Sequence, residues 1–440
     1  MSVTQKLVTS KFNVETAKHF IQSVDTGDAA YYVYAGNHIP YTPDDSVIAV
    51  PNNSVQSVVY DPYNNMIFGK RVGAADVNIM VKRTEWASGT VYDMYNHTTD
   101  LTTLNYFVFI QDGTNWNLYK CLSNGYGAPS TVAPTGQSLN PISSPVDGYI
   151  WKYMGTTPGA VYTKFQTNFF APMTPNTTVT SSATPGTIEF ISVNSAGAGY
   201  NNWYKSAFRY QDLTNGSTNI TIFNLQEDSS LNYGYYEGCF FKITSGNCSG
   251  QYRQISQYQY INGNHQVIVQ SPFSGTILPG DTYEIYPSVY IFGDGNETVN
   301  CDARAVVNTV SGSGNTISYV DILNPGVGYR SADALLIVKP VVGVTANASL
   351  QTIMSPPGGH GSDPYNELLA TQVCVAVQYN GTENQNIPAT NDYRQIGILK
   401  DPLFTGVTLT CDLTKQFGNF IVGEHVLQYR PIWLAGAVTT

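Results

Sequence analysis

Short apolar runs interrupted by Gly, Pro and Asn make up most of this chain, and 39 Gly and 23 Pro among 440 residues leave little room for long helices. The runs Tyr31 to Tyr34, Tyr106 to Ile110, Trp116 to Leu122, Tyr149 to Met154, Val373 to Tyr379, Tyr393 to Leu399 and His425 to Tyr429 have the length and the aromatic and β-branched content of strands. Helix signals are few. Asn13 caps a run with Val14, Ala17, Ile21 and Val24 on one face, Asp363 precedes Pro364, Glu367, Leu368 and Leu369, and a weaker signal covers Asn53 to Tyr60. The expected architecture is mainly β, with a few short helices in loops.

The chain also repeats itself at an offset of 129 residues. Ile188, Ile191, Val193, Gly197, Gly199 and Tyr200 align with Ile317, Val320, Ile322, Gly326, Gly328 and Tyr329. Each copy reads as a strand followed by a Gly-x-Gly-Tyr turn, in which glycine permits positive φ and the Tyr folds back over the bend. A phosphate cradle needs a third glycine and a following helix, and neither copy has them. The first β unit is placed at residues 175–223 and the second at 288–353.

Between the copies, residues 224–287 read as an inserted four-stranded module, a small β-barrel or sandwich: Gly238 to Ile243, Gln251 to Tyr260, His265 to Gln270 and Asp281 to Tyr286. Asn262-Gly263 is its hairpin turn and Ser245 to Gly250 a loop. Phe240, Ile243, Ile255, Val267, Val269, Tyr283 and Ile285 alternate with polar residues and are expected to form its core. Ser/Thr/Pro-rich stretches at Pro172 to Pro185 and Ser355 to Gly361 border the whole repeat region.

Charged residues supply only 12% of the chain, about half the usual share, which excludes charge-driven disorder and a long coiled coil. The net charge of −10, without a local Lys/Arg cluster, argues against nucleic acid and membrane surfaces as partners. With 32 Tyr and a polar remainder of Asn, Ser, Thr and Gln, the surface suits assembly with other proteins. Neither a signal peptide nor a transmembrane helix is expected. The six cysteines, Cys121, Cys239, Cys248, Cys301, Cys374 and Cys411, lack metal-site spacing and read as free thiols, with a meeting of Cys239 and Cys248 across a loop left open.

Catalytic chemistry has few starting points. Of the six histidines, His19, His38, His97, His265, His360 and His425, none has a His or Cys at ligand spacing. His360 could act as a general base oriented by Asp363; the alternative is that His360 holds a bent loop while Asp363 caps the helix. A glycosidase would need paired carboxylates, for which Asp281, Glu284, Glu297 and Asp302 are available. Asp294-Gly295-Asn296-Glu297 could offer oxygens to calcium but reads more simply as a turn. No catalytic, cofactor or metal residue is therefore assigned, and no cofactor is expected.

Several motifs in chain order resemble the T-even-type phage baseplate wedge protein, the gene-eight product family. They are Leu7-Val8-Thr9-Ser10-Lys11-Phe12; Lys82-Arg83-Thr84-Glu85-Trp86 with Tyr92 and Tyr95; Trp116 with Leu118-Tyr119-Lys120-Cys121-Leu122; Asp147-Gly148-Tyr149-Ile150-Trp151-Lys152-Tyr153; Tyr393-Arg394-Gln395-Ile396 with Asp401-Pro402-Leu403; and Arg430-Pro431-Ile432. The resemblance covers about residues 1 to 175 and 354 to 440, and it implies that residues 1–174 and 354–440 are two halves of one wedge-protein core. The repeat region departs from the family pattern, as does the end at Thr440, where family members continue with a further strand. What the resemblance implies is a multi-layer β-sandwich core with helix-bearing loops, a homodimer, and a place in the wedge around the tail hub beside the gene-six, gene-seven and gene-ten products. It also implies a virion protein of the tail baseplate, assembled in the host cytoplasm. The competing expectations are a carbohydrate-binding or host-recognition tail module and a glycan-degrading tail enzyme.

Overall fold

The computed structural model describes residues 8–41, 46, 53–200, 203–213, 221–307, 315–337, 343–378 and 393–402. The protein is mainly β, 40% strand against 15% helix, in six antiparallel sheets joined by loops and short helices. The chain divides into two compact units, residues 22–76 with 377–440 and residues 1–21 with 77–376.

The smaller unit holds a three-stranded sheet in the order Met66–Arg71, Tyr31–Gly36, Gln395–Lys400. Its register sets Tyr34 opposite Gly397, where a Cβ would lie 2.6 Å from the Tyr34 ring, so glycine makes room for the aromatic. The helical signal at Asn53 to Tyr60 runs further than expected, through Gln56–Tyr60 into Asp61–Asn65, with Pro62 near the start of the second segment. The strand expected at His425 to Tyr429 lies outside the described residues.

The N-terminal helix is Ser10–Asp25 and begins before Asn13. Thr9, not Asn13, supplies the capping oxygen, accepting from the Phe12 N–H at 3.3 Å. Val14 and Ala17 are buried as the spacing predicts. A four-stranded sheet follows in the order Phe107–Asp112, Asn115–Asn124, Tyr149–Thr157, Ile142–Ser143. From Asn117 to Leu122 its second strand is buried on both faces. Leu118 and Leu122 pack into one cluster with Tyr106, Phe109 and Met154, while Tyr119 and Cys121 join Tyr92, Tyr149 and Trp151 in another. A three-stranded sheet, Gln372–Val375, Val77–Lys82 and Phe170–Pro172, adds Ile79, Val81 and Ala171 to the first cluster. The strand expected over Val373 to Tyr379 thus ends at Val375, and Tyr379 lies outside the described residues.

The two Gly-x-Gly-Tyr copies are built alike. Ile188–Ser195 pairs with Ser349–Met354, and Ile317–Asn324 pairs with Asp302–Val307. Val193 faces Leu350 as Ile322 faces Ala303, and both pairs carry irregularities at matching positions. Gly197 and Gly326 have φ of 61° and 66°, and an added Cβ would lie 2.6 Å and 2.5 Å from the rings of Tyr200 and Tyr329. Each Tyr hydroxyl accepts the N–H just before the partner strand, Ala348 at 2.7 Å and Cys301 at 2.9 Å. The copies also bind each other reciprocally: the Ile188 N–H donates to the Pro325 carbonyl and the Ile317 N–H to the Ala196 carbonyl, both at 2.9 Å. The Tyr200 and Tyr329 N–H groups repeat this exchange with the carbonyls of Asn315 and Gly186. The second copy extends into a sheet in the order Ile317–Asn324, Asp302–Val307, Ser288–Gly293, Ala332–Ile337.

The intervening module is a six-stranded open sheet in the order Lys205–Ala207, Thr282–Tyr286, Phe240–Ile243, Tyr252–Ile261, Asn264–Val269, Ile222–Leu225. The four expected strands are present and no closed barrel forms among the described residues. Two further strands, Lys205–Ala207 and Ile222–Leu225, were not legible because each is short and carries a polar residue at its centre. Asn262 and Gly263, with φ of 51° and 80°, make the expected hairpin turn. Ile243, Ile255, Val267, Val269, Tyr283 and Ile285 enter the core as predicted, but Phe241 takes the place assigned to Phe240. Register explains the exchange, since Phe241 lies opposite Ile285 on the inward face and Phe240 turns to the other side, 6.1 Å from the Tyr252 ring.

Candidate functional site

Inside the larger unit, four separate stretches of chain bring charged side chains together. Lys120 lies in the doubly buried strand Asn115–Asn124, and its cross-strand neighbour on Tyr149–Thr157 is Lys152. Like charges directly opposite one another repel, so this register needs an anion beside it. Glu189, second residue of Ile188–Ser195, provides one: Oε2 is 2.8 Å from Lys120 Nζ and Oε1 is 3.2 Å from Lys152 Nζ. Glu367, at the end of the short helix Pro364–Glu367, contacts Lys120 Nζ from another side through Oε1. The Lys120, Glu189 and Glu367 side chains are fully buried. The Tyr95 ring lies under the ammonium at 4.1 Å, adding a cation–π contact.

His360 closes the cluster. Its Nδ1 is 3.0 Å from Glu367 Oε1 and 3.4 Å from Glu189 Oε1, and its Nε2 is 2.9 Å from the Tyr153 carbonyl. Both ring nitrogens face oxygens that only accept when the carboxylates are ionised, so the arrangement is satisfied by a ring carrying hydrogens on both. The other Glu367 oxygen, Oε2, accepts the Gly361 N–H at 2.7 Å. Burial alone would push the Glu367 and Glu189 carboxyls up; Lys120 and His360 outweigh it for both, helped at Glu189 by Lys152, and hold them below the ordinary carboxylate range. Burial likewise disfavours the Lys120 ammonium, and the two carboxylates more than restore it. The cluster is an ionised network in an apolar interior.

Glu189, His360 and Glu367 offer atoms within 4.8 Å of one another, a spacing compatible with a metal ion. The Lys120 ammonium, however, touches both carboxylates and stands where a cation would bind, so the donor set is matched to an amine rather than to a metal.

The pairing of His360 with Asp363 is not formed as a base and its orienter. Glu367 holds the ring, while Asp363 caps its helix by accepting from the Asn366 N–H at 3.2 Å and binds Lys18 at 3.0 Å. The four acids considered for glycoside cleavage divide between the six-stranded module and the second repeat. Glu284 accepts from the Trp203 indole at 2.8 Å and Asp281 from the Leu278 N–H at 2.8 Å, both in the six-stranded module. Asp302 begins a strand of the second repeat, and Asp294 accepts from Asn296 N–H at 3.3 Å in the turn that also carries Glu297. Cys121, Cys239, Cys248, Cys301 and Cys374 are free thiols, and Cys411 lies outside the described residues. Lys120, Glu189 and Glu367 were missed as a group; the available signal was a lone charge inside an otherwise apolar run, as in Leu118-Tyr119-Lys120-Cys121-Leu122 and Ile188-Glu189-Phe190.

No protein-family model matches the chain. No curated protein matches it either.

Proposed function

We propose that the protein is a non-enzymatic structural subunit of a contractile-tail phage baseplate, a dimer that forms part of the wedge around the central hub. The observation that carries this reading is the ordered set of motifs resembling the T-even gene-eight product family. Tyr92, Tyr95, Lys120, Cys121, Tyr149, Trp151 and Tyr153 from those motifs are all buried, the kind of position that a core held in common would share. On this reading the sheets around them belong to a multi-layer β-sandwich core, and the repeat region is an elaboration on it. Low charge and abundant Tyr suit extended contacts with neighbouring subunits. Light scattering during size-exclusion chromatography, alone and with subunits resembling the gene-six, gene-seven and gene-ten products, tests it: a dimer that shifts to larger complexes is expected, and a monomer indifferent to those partners overturns it.

A second reading, carbohydrate binding, draws on a cleft of about 610 Å³ between the four-stranded sheet and the repeats. Its lining includes Tyr126 and Tyr319 together with Ser123, Ser143, Thr316, Ser318 and the acidic Asp147, a mixture of aromatic and polar side chains suited to sugar rings. Retention on immobilised glycans, lost on Tyr319→Ala, would favour it over the wedge reading.

A further inference from the structure

We propose that Lys120 and Glu367 become joined by an amide bond between their side chains, formed by the folded protein itself with Glu189 and His360 moving the protons. The reasons are geometric. One amine is enclosed, without solvent access, between two carboxylates, and it already touches the one that would be acylated. Holding two reacting groups in contact supplies an effective concentration no free solution reaches. The neighbours also suit the chemistry: Glu189 Oε2 is 2.8 Å from the amine, His360 Nδ1 is 3.0 Å from Glu367 Oε1, and the Gly361 N–H is 2.7 Å from Glu367 Oε2.

The step balances without any outside reagent. The Lys120 ammonium gives one proton to Glu189, and His360 gives its Nδ1 proton to Glu367 Oε1, leaving a neutral amine against a carboxylic acid. The nitrogen lone pair forms a bond to Cδ of Glu367, and the negative charge that develops on Oε2 is met by the Gly361 N–H, as an oxyanion is in acyl transfer. A second nitrogen proton returns to His360. Glu189 then delivers its proton to Oε1, the C–O bond breaks, and one water leaves. Glu189 and His360 end as they began, and a buried ammonium and a buried carboxylate have become one neutral amide. That exchange removes two charges whose desolvation is costly. The amide N–H remains beside Glu189 as a donor.

The test is the intact mass of the full-length protein under denaturing conditions, followed by tryptic mapping. The expected mass is lower than the sequence mass by one water, with no cleavage after Lys120 and a branched peptide linking the Lys120 strand to the Glu367 segment. A full sequence mass with normal cleavage after Lys120 overturns the proposal, and so does a water loss that maps elsewhere, such as to an imide at Asp294-Gly295. Glu189→Gln keeps the amine and its acceptor in place while removing the proton carrier; the branched peptide should then be lost. Its formation as in the wild type would overturn the role given to Glu189. If that variant does not fold, the wild-type mass still decides whether the bond exists.

Discussion

Lys120 and Lys152 stand directly opposite each other on adjacent antiparallel strands, and Glu189 holds them there with one carboxylate oxygen turned to each. Removing that carboxylate leaves two facing ammonium groups, one of them fully buried, with Glu367 as the remaining carboxylate partner of Lys120. Measured against wild-type chains without the Lys120–Glu367 amide, Glu189→Ala should therefore destabilise the protein by about 3–5 kcal/mol, the range for breaking a buried pair from one side. Guanidinium unfolding measures it, with Arg83→Ala as the comparison. Arg83 and Glu85 form a half-exposed pair, and its loss should cost only about 0–1 kcal/mol. Equal losses in the two variants would show that the network is not an energetic centre.

The same carboxylates set an acid limit. In chains without the Lys120–Glu367 amide, Glu189 and Glu367 have folded-state pKa values held below their unfolded ones, so both bind protons more readily when the chain unfolds. Their stabilisation is fully present above the ordinary carboxylate value of about 4.3 and is lost as pH falls through the lower folded values. Melting temperatures between about pH 3 and pH 7 should fall steeply at the acid end. In Glu367→Gln the fall should be shallower than in wild-type chains without the amide, and an unchanged slope would remove Glu367 from the account.

What was legible in the sequence follows the range of the interactions. The Gly-x-Gly-Tyr turns could be read directly, because positive φ at Gly197 and Gly326 and the fold-back of Tyr200 and Tyr329 are decided within a few residues. Their partner strands could not. Asp302–Val307 precedes its copy in the chain and Ser349–Met354 follows the other at long range, so no single offset reveals both. The charge cluster was hidden for a related reason. Lys120 meets Glu189 across 69 positions and Glu367 across 247, and the apolar run around Lys120 hints at its burial without naming its partners. His360 stood out in its glycine-rich loop, while its partner is Glu367 rather than the nearer Asp363.

The equivalence of the repeats predicts equivalent damage. Gly197→Ala and Gly326→Ala each place a side chain at positive φ and against an aromatic ring, and each should cost about 1–3 kcal/mol. Gly89→Ala is the control for φ alone, since Gly89 has φ of +85° but nothing within 4 Å of an added Cβ. Thermal melts of the three variants separate the terms. A Gly89 variant as unstable as the other two would mean that the close contacts of the added Cβ with ring and backbone contribute nothing.

The last prediction concerns where the intervening module can be cut. Lys205–Ala207 and Thr282–Tyr286 are neighbouring strands with Lys205 opposite Glu284, so the chain enters and leaves the module side by side. Phe208 and Phe223, which both precede the segment read as the insert, belong to the same core as Phe241 and Tyr283. Replacing residues 224–287 with a Gly/Ser linker would strip the partners from those two rings and cut into Ile222–Leu225, leaving apolar surface exposed. Replacing Trp203 to Tyr286 removes the core as a whole, at the expense of the packing that Ile337 makes against it. The longer deletion should thus yield a soluble protein with a cooperative melt, and the shorter one should aggregate or lose cooperativity. The reverse order of outcomes would mean that Lys205–Ala207 and Ile222–Leu225 are integral to the repeat framework and that the module boundary lies at residue 224 after all.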